Sequence, residues 1–267
     1  MSRTIRITSK HVQRPAKRLR WQVGLVLPLV LPLVFGLLFW LTPLGRGLEN
    51  LSYDLLFVFK PVSHPNEVEI LYLDEKSFRE LGQQPDNWDR ALHARLLEHL
   101  TGDGARLVVF DIWFTDPGTP AANEALCQAL KSNGRVVLAA QRITEITPGF
   151  HSASLLKPLD IFCQAAAGWG IAEVAVNRQG VVRRHPPNSE LGASLPAAAL
   201  AATGFKAAPD QLADCWINYY GPQGTLPSLS YCEATNQSVG FFHGKTVFIG
   251  ARPKALYAFR ETDEFLT

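Results

Sequence analysis

Two aspartates, Asp74 and Asp111, stand at or near the end of two stretches that are typical of β-strands. The first stretch, residues 67–74, reads EVEILYLD, and the second, residues 105–114, reads ARLVVFDIWF. The carboxyl ends of parallel strands form the edge at which α/β proteins bind ligands, so two carboxylates there could hold a cation or accept hydrogen bonds. If the two strands are neighbours, the carboxylates lie about 5 Å apart.

Two arginines could complement these carboxylates. Arg90 begins a predicted helix, and Arg183 leaves a predicted hairpin beside Arg184. A guanidinium group binds anionic oxygens well, so the adjacent pair Arg183-Arg184 could clamp an anionic ligand. We therefore predict a ligand-binding set formed by Asp74, Arg90, Asp111 and Arg183.

A structural interpretation of the same residues stays open. Each aspartate could instead cap the turn that follows it or pair with Arg90 or Arg183, because structural ion pairs also gather carboxylates. Arginines that leave a hairpin also occur at solvated strand edges, where charge discourages pairing with another chain. The sequence alone does not decide between the two interpretations.

No catalytic signature accompanies these residues. The sequence holds neither a GxSxG motif nor a phosphate-binding loop, and Gly168-x-Gly170 lacks the third glycine of a dinucleotide fingerprint. His93 and His99 stand six positions apart, whereas the zinc-binding histidines of an HExxH helix stand four apart. We therefore predict no catalytic residue, no metal and no cofactor. A metal-dependent extracytoplasmic hydrolase that uses the two aspartates is kept as an alternative, since geometry decides such a site.

The first 41 residues predict a membrane anchor with a basic tail. Residues 1–20 contain seven arginines and lysines and no acidic residue, and residues 21–41 contain no charge. About 20 such residues cross the hydrocarbon core as a helix, in which prolines such as Pro28 and Pro32 are tolerated. By the positive-inside rule, the amino terminus lies in the cytoplasm and the chain after about residue 42 lies outside. No Ala-x-Ala pattern follows the apolar run, so an uncleaved anchor fits better than a signal peptide.

Residues 42–62 predict a juxtamembrane helix and linker, and residues 63–267 predict the outer domain. Leucines recur at helical spacing in the first of these segments, at Leu44, Leu48, Leu51 and Leu55. The pair Lys60-Pro61 should end this helix, because the residue before a proline avoids the helical conformation.

Strands and helices alternate in the outer domain, which predicts an α/β fold with a mixed, mostly parallel sheet and crossover helices. The predicted strands cover residues 67–74, 105–114, 135–140, 215–220 and 245–250, and a hairpin turns at 177–180. The predicted helices cover residues 88–100, 123–132, 154–166 and 195–203. Residues 105–114 are too continuously apolar for a half-exposed strand, so we expect this strand to be buried on both faces.

The helix over residues 88–100 is predicted to be amphipathic. Its sheet-facing residues are Trp88, Leu92, Leu96 and Leu100. We expect His93, Arg95 and His99 to lie on the solvent side of the same helix.

Four cysteines follow the anchor, in a compartment where disulfides persist. They are Cys127, Cys163, Cys215 and Cys232, and four cysteines allow three pairings. None belongs to a CxxC motif, so neither a zinc ribbon nor a thioredoxin-like site is predicted. Whether they form disulfides or remain small buried thiols stays open.

Several segments of the outer part stand out together. In chain order they are ILYLDEKSFRELG, NWDRALHARLLEHL, VVFDIWFTDP, GVVRRHP, INYYGPQGT with SLSY, and GKTVFIGA. In this order, after a basic-tailed anchor and from Tyr53-Asp54 onwards, they resemble the type-two CHASE domain family, the cyclases/histidine kinases associated sensory extracellular domains. The resemblance covers nearly the whole outer part, up to Ile249-Gly250.

Two departures from the pattern of that family are visible. The segment Asn87-Trp88-Asp89-Arg90 lacks the usual proline after the tryptophan. The chain stops at ETDEFLT, before the Gly-Val-x-x-His-Ala stretch and the later membrane helices of the family. We therefore expect a sensor domain that is incomplete at its carboxyl end, and an output module outside this chain.

The resemblance implies the extracytoplasmic sensory region of a transmembrane receptor in the inner (plasma) membrane of a bacterium. Such a region would bind a small-molecule or protein ligand and regulate an intracellular adenylate or guanylate cyclase, histidine kinase or Ser/Thr kinase, in cis or in trans. We expect a homodimer formed through the membrane and juxtamembrane helices, no enzyme activity in this chain and no nucleic-acid partner. A membrane-anchored structural or assembly subunit is the alternative.

Overall fold

The computed structural model describes residues 16–60, 62–63, 65–84, 87–147, 150–177, 180–186, 191–205 and 215–252. The chain divides into two compact units, Met1–Pro61 and Val62–Thr267. Most of the predicted basic tail, residues 1–15, and the terminal segment 253–267 lie outside the described residues. The expectations for those two segments therefore stay predictions.

The first unit consists of two helices, α1 (Ala16–Leu41) and α2 (Pro43–Phe59). Thr42 separates them in an extended conformation, and Pro43 opens α2 at a position where a missing N–H costs no helical hydrogen bond. Lys60, also extended, ends α2. A helix thus forms where the sequence predicts one, and its position next to a membrane stays a prediction.

The predicted anchor, residues 21–41, lies within α1. Among the described residues, no single helix is long and apolar enough to cross a membrane. The segments Val30–Leu41 and Pro43–Phe59, which are bent by 80° at their junction, meet those requirements only as a pair.

The second unit contains, in its described part, a seven-stranded sheet and a two-stranded sheet. The strands are β1 (Val68–Leu73), β2 (Leu107–Asp111), β3 (Val136–Thr147), β4 (Phe150–Leu156), β5 (Gly168–Ile171), β6 (Ala175–Val176), β7 (Val182–Arg184), β8 (Ser228–Ser230) and β9 (Thr246–Ala251). The large sheet has the order β4-β3-β2-β9-β1-β8, and β5 also pairs with β3. All its pairs are parallel except β3 with β4, so the predicted α/β fold with a mixed, mostly parallel sheet is confirmed.

Short helices connect the strands. They are α3 (Glu75–Glu80), α4 (Arg90–Gly102), α5 (Pro120–Asn133), α6 (Asp160–Ala165), α7 (Leu195–Ala202) and the 3-10 helix Tyr231–Asn236. Local sequence explains several of the starts, because a side-chain oxygen accepts a backbone N–H of the first turn. Asp74, Asp89, Thr119 and Ser194 provide these caps.

The predicted helix over residues 154–166 is wrong in its first half. Ser154 belongs to β4, and α6 begins only at Asp160. Pro158 explains the late start, since the residue before a proline is driven towards an extended conformation.

The predicted strand over residues 215–220 is also wrong. Only Trp216 pairs in strand fashion, through an isolated bridge to Arg184 of β7. Two backbone hydrogen bonds extend this contact, from His185 N to the Cys215 carbonyl and from Ile217 N to the Arg183 carbonyl. The predicted hairpin at 177–180 is confirmed, since β6 and β7 pair antiparallel around it, although residues 178–179 lie outside the described residues.

Helices cover both faces of the sheet, and β2 is buried between them. On one face, strands pack against α4, α5 and α6 through a cluster that includes Leu71, Phe110, Leu138, Ile249, Leu97 and Leu130. On the other face, Val109 and Val137 pack against Leu195 and Ala199 of α7. The burial of β2 on both faces, predicted from its continuous apolar run, is confirmed.

Candidate functional site

The two predicted strand-end aspartates do not stand on neighbouring strands. β9 lies between β1 and β2, with Gly250 paired to Tyr72 on one side and to Asp111 on the other. Two strand spacings therefore separate β1 from β2, or about 10 Å. The expectation of carboxylates about 5 Å apart is wrong, because it assumed that β1 and β2 pair directly.

Asp74 caps the helix that follows β1. Its Oδ1 accepts hydrogen bonds from the backbone N of Ser77 at 2.9 Å and from the Ser77 hydroxyl at 2.8 Å. Its Oδ2 accepts a hydrogen bond from the Ser230 hydroxyl at 2.6 Å. The structural alternative for Asp74, a helix cap, is thus confirmed, and the carboxylate additionally links α3 to the end of β8.

The same network continues into the 3-10 helix after β8. Glu233 accepts a hydrogen bond from the backbone N of Ser230 at 3.1 Å. It also forms an ion pair with Lys76 at 2.5 Å. The Ser77 hydroxyl, which is buried, also accepts the backbone N of Cys232 at 3.2 Å. Two short helices at one end of the sheet are therefore joined by side chains that are far apart in the sequence.

The hydrogen bonds keep Asp74 ionised. Burial acts to raise the pKa of this carboxyl group, but hydrogen bonds from Ser230 and Ser77 outweigh burial and hold the pKa below its usual value. Glu233 follows the same direction, since Lys76 and the Ser230 N–H lower its pKa. These carboxylates are anions at neutral pH, and their oxygens are already engaged within the fold.

Asp111 ends β2 with an exposed side chain and opens the loop of residues 112–119, which we call the β2–α5 loop. Trp113 in this loop is 51% exposed. Phe114, the next residue, is buried, and its carbonyl accepts a hydrogen bond from Leu159 N at 2.9 Å. The exposed residues Asp111 and Trp113 are therefore two positions apart at the carboxyl edge. The loop that follows Asp111 is fixed by buried Phe114 and by the hydrogen bond from Leu159.

Arg90 holds the same loop from the first turn of α4. Its Nη1 donates to Asn123 Oδ1 at 2.6 Å, its Nη2 donates to the Asp116 carbonyl, and its guanidinium lies 5.4 Å from the centre of the Phe162 ring. Gly118 leaves room for this arrangement, because a β-carbon there would lie 2.3 Å from Arg90 Nη1. Arg90 thus positions the β2–α5 loop.

Arg183 lies in β7, outside the large sheet. Its side chain is buried, with 7% of the residue exposed, and its carbonyl accepts the backbone N of Ile217. The two-stranded sheet to which it belongs is separate from the strands that carry Asp74 and Asp111. A ligand-binding role for Arg183 stays a prediction, whereas a solvated edge is wrong for this buried residue.

His93 is buried, so the prediction that it lies on the solvent side of α4 is wrong. Only 2% of the residue is exposed, and its Nδ1 lies 3.0 Å from the hydroxyl of Tyr231. Four aromatic rings surround it, those of Trp88, Phe110, Phe114 and Tyr231. A signal was present in the sequence, since His93, Leu96, Leu97 and Leu100 follow the i, i+3, i+4, i+7 spacing of one helix face.

Burial controls the protonation of this pair. It lowers the pKa of His93 to about 3, with a further contribution from the nearby Arg90 cation. Burial also raises the pKa of Tyr231. Both side chains are therefore neutral at physiological pH, and they pack directly beneath the loop that Arg90 holds.

The other predicted solvent-side residues differ from each other. Arg95 is exposed, as predicted. His99 is partly buried, and its Nε2 atom is buried without a hydrogen-bond partner among the described residues. Leu92 is only partly buried, and Ala94 and Leu97 complete the buried face.

The four cysteines are thiols in this structure. Cys127 and Cys232 are buried, and burial raises the pKa of both thiols as well as that of Cys163. Raised pKa values keep thiols protonated and unreactive at neutral pH. The possible disulfides named from the sequence remain predictions.

The opposite, amino edge of the sheet holds a second set of charges. Glu69 is buried at the start of β1 and pairs with Lys245 at 2.9 Å, and Lys245 also lies 3.8 Å from the centre of the Phe241 ring. Asp103, at the end of α4, accepts the backbone N–H groups of Gly240 and Phe242. Burial acts to raise the pKa of Asp103, but these two N–H groups outweigh burial and lower it.

Within the described residues, no group of three or more His, Cys, Asp or Glu side chains is arranged to hold a metal ion. The carboxyl edge instead combines an exposed carboxylate, an exposed tryptophan and a buried aromatic layer. Such a surface suits a ligand that presents hydrogen-bond donors beside an apolar group.

Comparison with known families agrees with this architecture. A family model, the CHASE2 domain, matches residues 29–262. Because the match covers most of the chain, the protein belongs to the CHASE2 domain family, and the resemblance noted in the sequence is confirmed. CHASE2 domains are extracellular sensory domains of membrane signalling receptors. Comparisons with curated proteins and with solved structures gave no match.

Proposed function

We propose that this chain is the membrane-anchored sensory region of a bacterial receptor, which binds a ligand at the carboxyl edge of its sheet and performs no chemistry on it. The ligand is a small molecule or a protein segment. Binding regulates a cyclase or kinase module inside the cell, in cis or in trans, across a homodimer. Family membership supports the sensory role, and the exposed pair Asp111 and Trp113 on a loop positioned by Arg90 is the observation that supports the site.

The membrane anchor is supported by charge and length. Seven basic residues precede 21 uncharged ones, and α1 includes every residue of that uncharged run. The positive-inside rule then places the basic tail in the cytoplasm and the second unit outside. A reporter enzyme fused after residue 267 should act only outside the cytoplasm, and reporter activity in the cytoplasm would contradict the orientation.

Ligand binding should appear as stability of the folded chain. A ligand at a hundred times its dissociation constant adds about 2.7 kcal/mol to the free energy of unfolding when it binds only the folded state. We expect a thermal-shift screen of a metabolite library, on the full chain in lipid nanodiscs, to find a stabilising compound. Consumption of that compound during the assay would instead reveal an enzyme.

Matched variants locate the site. Asp111→Asn should abolish the stabilisation, and Arg90→Lys should weaken it, because lysine lacks the planar guanidinium fork that donates to both Asn123 and the Asp116 carbonyl. Asp103→Asn at the amino edge should leave the ligand-induced shift unchanged. Equal loss of the shift in the Asp103 and Asp111 variants would remove the carboxyl edge as the binding site.

A further inference from the structure

Helix α2 has two contrasting faces. Seven of its apolar side chains are between 45% and 82% exposed, and they are Leu44, Leu48, Leu51, Leu55, Leu56, Val58 and Phe59. The opposite face holds Tyr53, which is buried and packs edge-to-face on Phe57 at 5.0 Å. The helix is thus amphipathic, but its larger apolar face is the one left exposed.

The exposed face carries no charge. At 3.6 residues per turn, Leu44, Leu48, Leu51, Leu55 and Val58 fall within about a quarter of the helix circumference. Phe59 adjoins this stripe, and Leu56 lies further round, beside Glu49. Among the charged residues of α2, Arg46 lies opposite this stripe, and Glu49 and Asp54 lie outside it on either side. A helix with this division of residues can lie in the interface of a membrane with its apolar face among the acyl chains.

The bend between α1 and α2 orients the apolar face. The two helices meet at 80°, so a helix α1 that crosses the membrane leaves α2 nearly parallel to its surface. Gly45 marks the inside of the bend, because a β-carbon there would lie 1.7 Å from the Phe39 carbonyl oxygen. Leu48, Ser52, Leu56 and Phe59 share the face of Gly45, and Glu49 lies at its border. The leucine stripe is centred about a quarter turn from Gly45, so one edge of the apolar face lies on the side on which α1 enters the membrane.

We propose that α2 lies on the outer surface of the membrane, with its apolar face immersed in lipid and its Tyr53 face turned away from the bilayer. This inference rests on the proposed anchor function of α1. α2 carries one basic and two acidic residues, so apolar burial rather than attraction to anionic lipid holds it there.

A second copy of the chain is the competing occupant. The spacing of the leucines, alternately four and three residues, is also that of a coiled-coil seam. A parallel coiled coil that continued from two membrane helices would need α2 to run on roughly along α1, and the 80° bend does not allow this. The bend thus favours lipid over the dimer contact that was expected for this helix.

Photo-crosslinking of the full chain in phosphatidylcholine nanodiscs tests the proposal. The photoreactive residue p-benzoyl-phenylalanine replaces Leu51 on the apolar face, Arg46 on the opposite face, or Leu33 in α1. Mass spectrometry should find lipid adducts with the probe at position 51 or 33. It should find no lipid adduct with the probe at position 46. Adding anionic lipid or salt should leave the adduct at position 51 unchanged, because apolar burial is not screened.

The outcomes separate this inference from the anchor on which it rests. Lipid adducts at position 33 but not at position 51 would leave the anchor intact and overturn the surface position of α2. A covalent dimer through position 51 would also overturn it in favour of a second copy. Absence of lipid adducts at both positions would overturn the anchor itself. Leu51→Gln should reduce the yield of the lipid adduct formed by a probe at position 55. The same substitution should leave the yield from a probe at position 33 unchanged. This pair of measurements checks that the apolar face acts as a unit.

Discussion

The two edges of the parallel sheet hold their charges differently. At the amino edge, Glu69 and Asp103 are buried and receive hydrogen bonds from Lys245 or from backbone N–H groups. At the carboxyl edge, Asp74 is partly exposed and Asp111 is exposed. Buried charges with fixed partners stabilise one fold, whereas charges that face solvent can exchange their contacts for those of a ligand.

Arg90 shows how the carboxyl edge combines the two roles. Its side chain stabilises the β2–α5 loop from within, and the outer side of that loop presents Trp113 and follows Asp111. A ligand bound to the outer side would therefore act on a loop that is tied to α4 and to α5. Substitutions at the two edges should separate stability from binding, and we describe them from the largest expected effect to the smallest.

Removal of Glu69 should have the largest effect on stability. Glu69→Ala leaves Lys245 partly buried without its anion, and breaking a buried pair costs about 3–5 kcal/mol in the free energy of unfolding. Chemical denaturation of the full chain measures this loss. The double variant Glu69→Met with Lys245→Met should recover much of it, since no charge is then left unpaired. A single variant as stable as the native chain would contradict the importance of the amino edge.

His93 should make the fold sensitive to acid. Its pKa is about 3 in the folded chain and about 6.5 when unfolded, so below pH 6.5 the unfolded chain takes up the proton first. Stability is then fully present above pH 6.5 and falls by up to about 1.4 kcal/mol for each pH unit towards pH 3.

Denaturation between pH 7 and pH 5.5 separates this effect from that of the carboxyl groups with lowered pKa values, because their contribution to stability is lost only below about pH 5. His93→Gln removes the titrating group but keeps a polar side chain near Tyr231, so its stability should vary less with pH. Parallel pH profiles for the variant and the native chain would show that another group is responsible.

Loss of the Asp74 cap should have a moderate effect. Asp74→Ala removes the acceptor for Ser77 and Ser230, and loss of a helix cap costs about 0.5–2 kcal/mol. Asp111→Ala, at the exposed end of β2, should change the free energy of unfolding by less than about 0.5 kcal/mol. The comparison fails if Asp111→Ala proves the more destabilising of the two.

The exposed pair of Lys76 and Glu233 should matter least. Both side chains remain substantially exposed, at 42% and 38%, and solvent screens ion pairs of this kind. Lys76→Ala should leave the melting temperature unchanged within experimental error. A clear drop would show that the carboxyl edge depends on its charges for stability, as the amino edge does.

Local sequence predicted the elements better than their arrangement. The runs at 67–74, 105–114 and 245–250 form β1, β2 and β9, because alternating or continuous apolar residues select strands without reference to the rest of the fold. The run at 215–220 fails because its partner strand β7 is too short to pair with more than Trp216 in strand fashion. His93 was misplaced because the helix face was drawn through Trp88 and Leu92, although Leu97 and Ala94 shift the buried face towards the histidine.

The sequence by itself determined the α/β class, the family and the amphipathic character of α2, since each depends on the types and spacing of residues along the chain. Only the tertiary structure decided that β9, the last described strand, lies between β1 and β2 and keeps Asp74 apart from Asp111. It alone showed that Asp74 has a distant partner in Ser230 and that His93 has one in Tyr231. Such pairings join residues more than a hundred positions apart, and they depend on strand order, which follows from burying the apolar surface of the whole domain rather than from any local pattern.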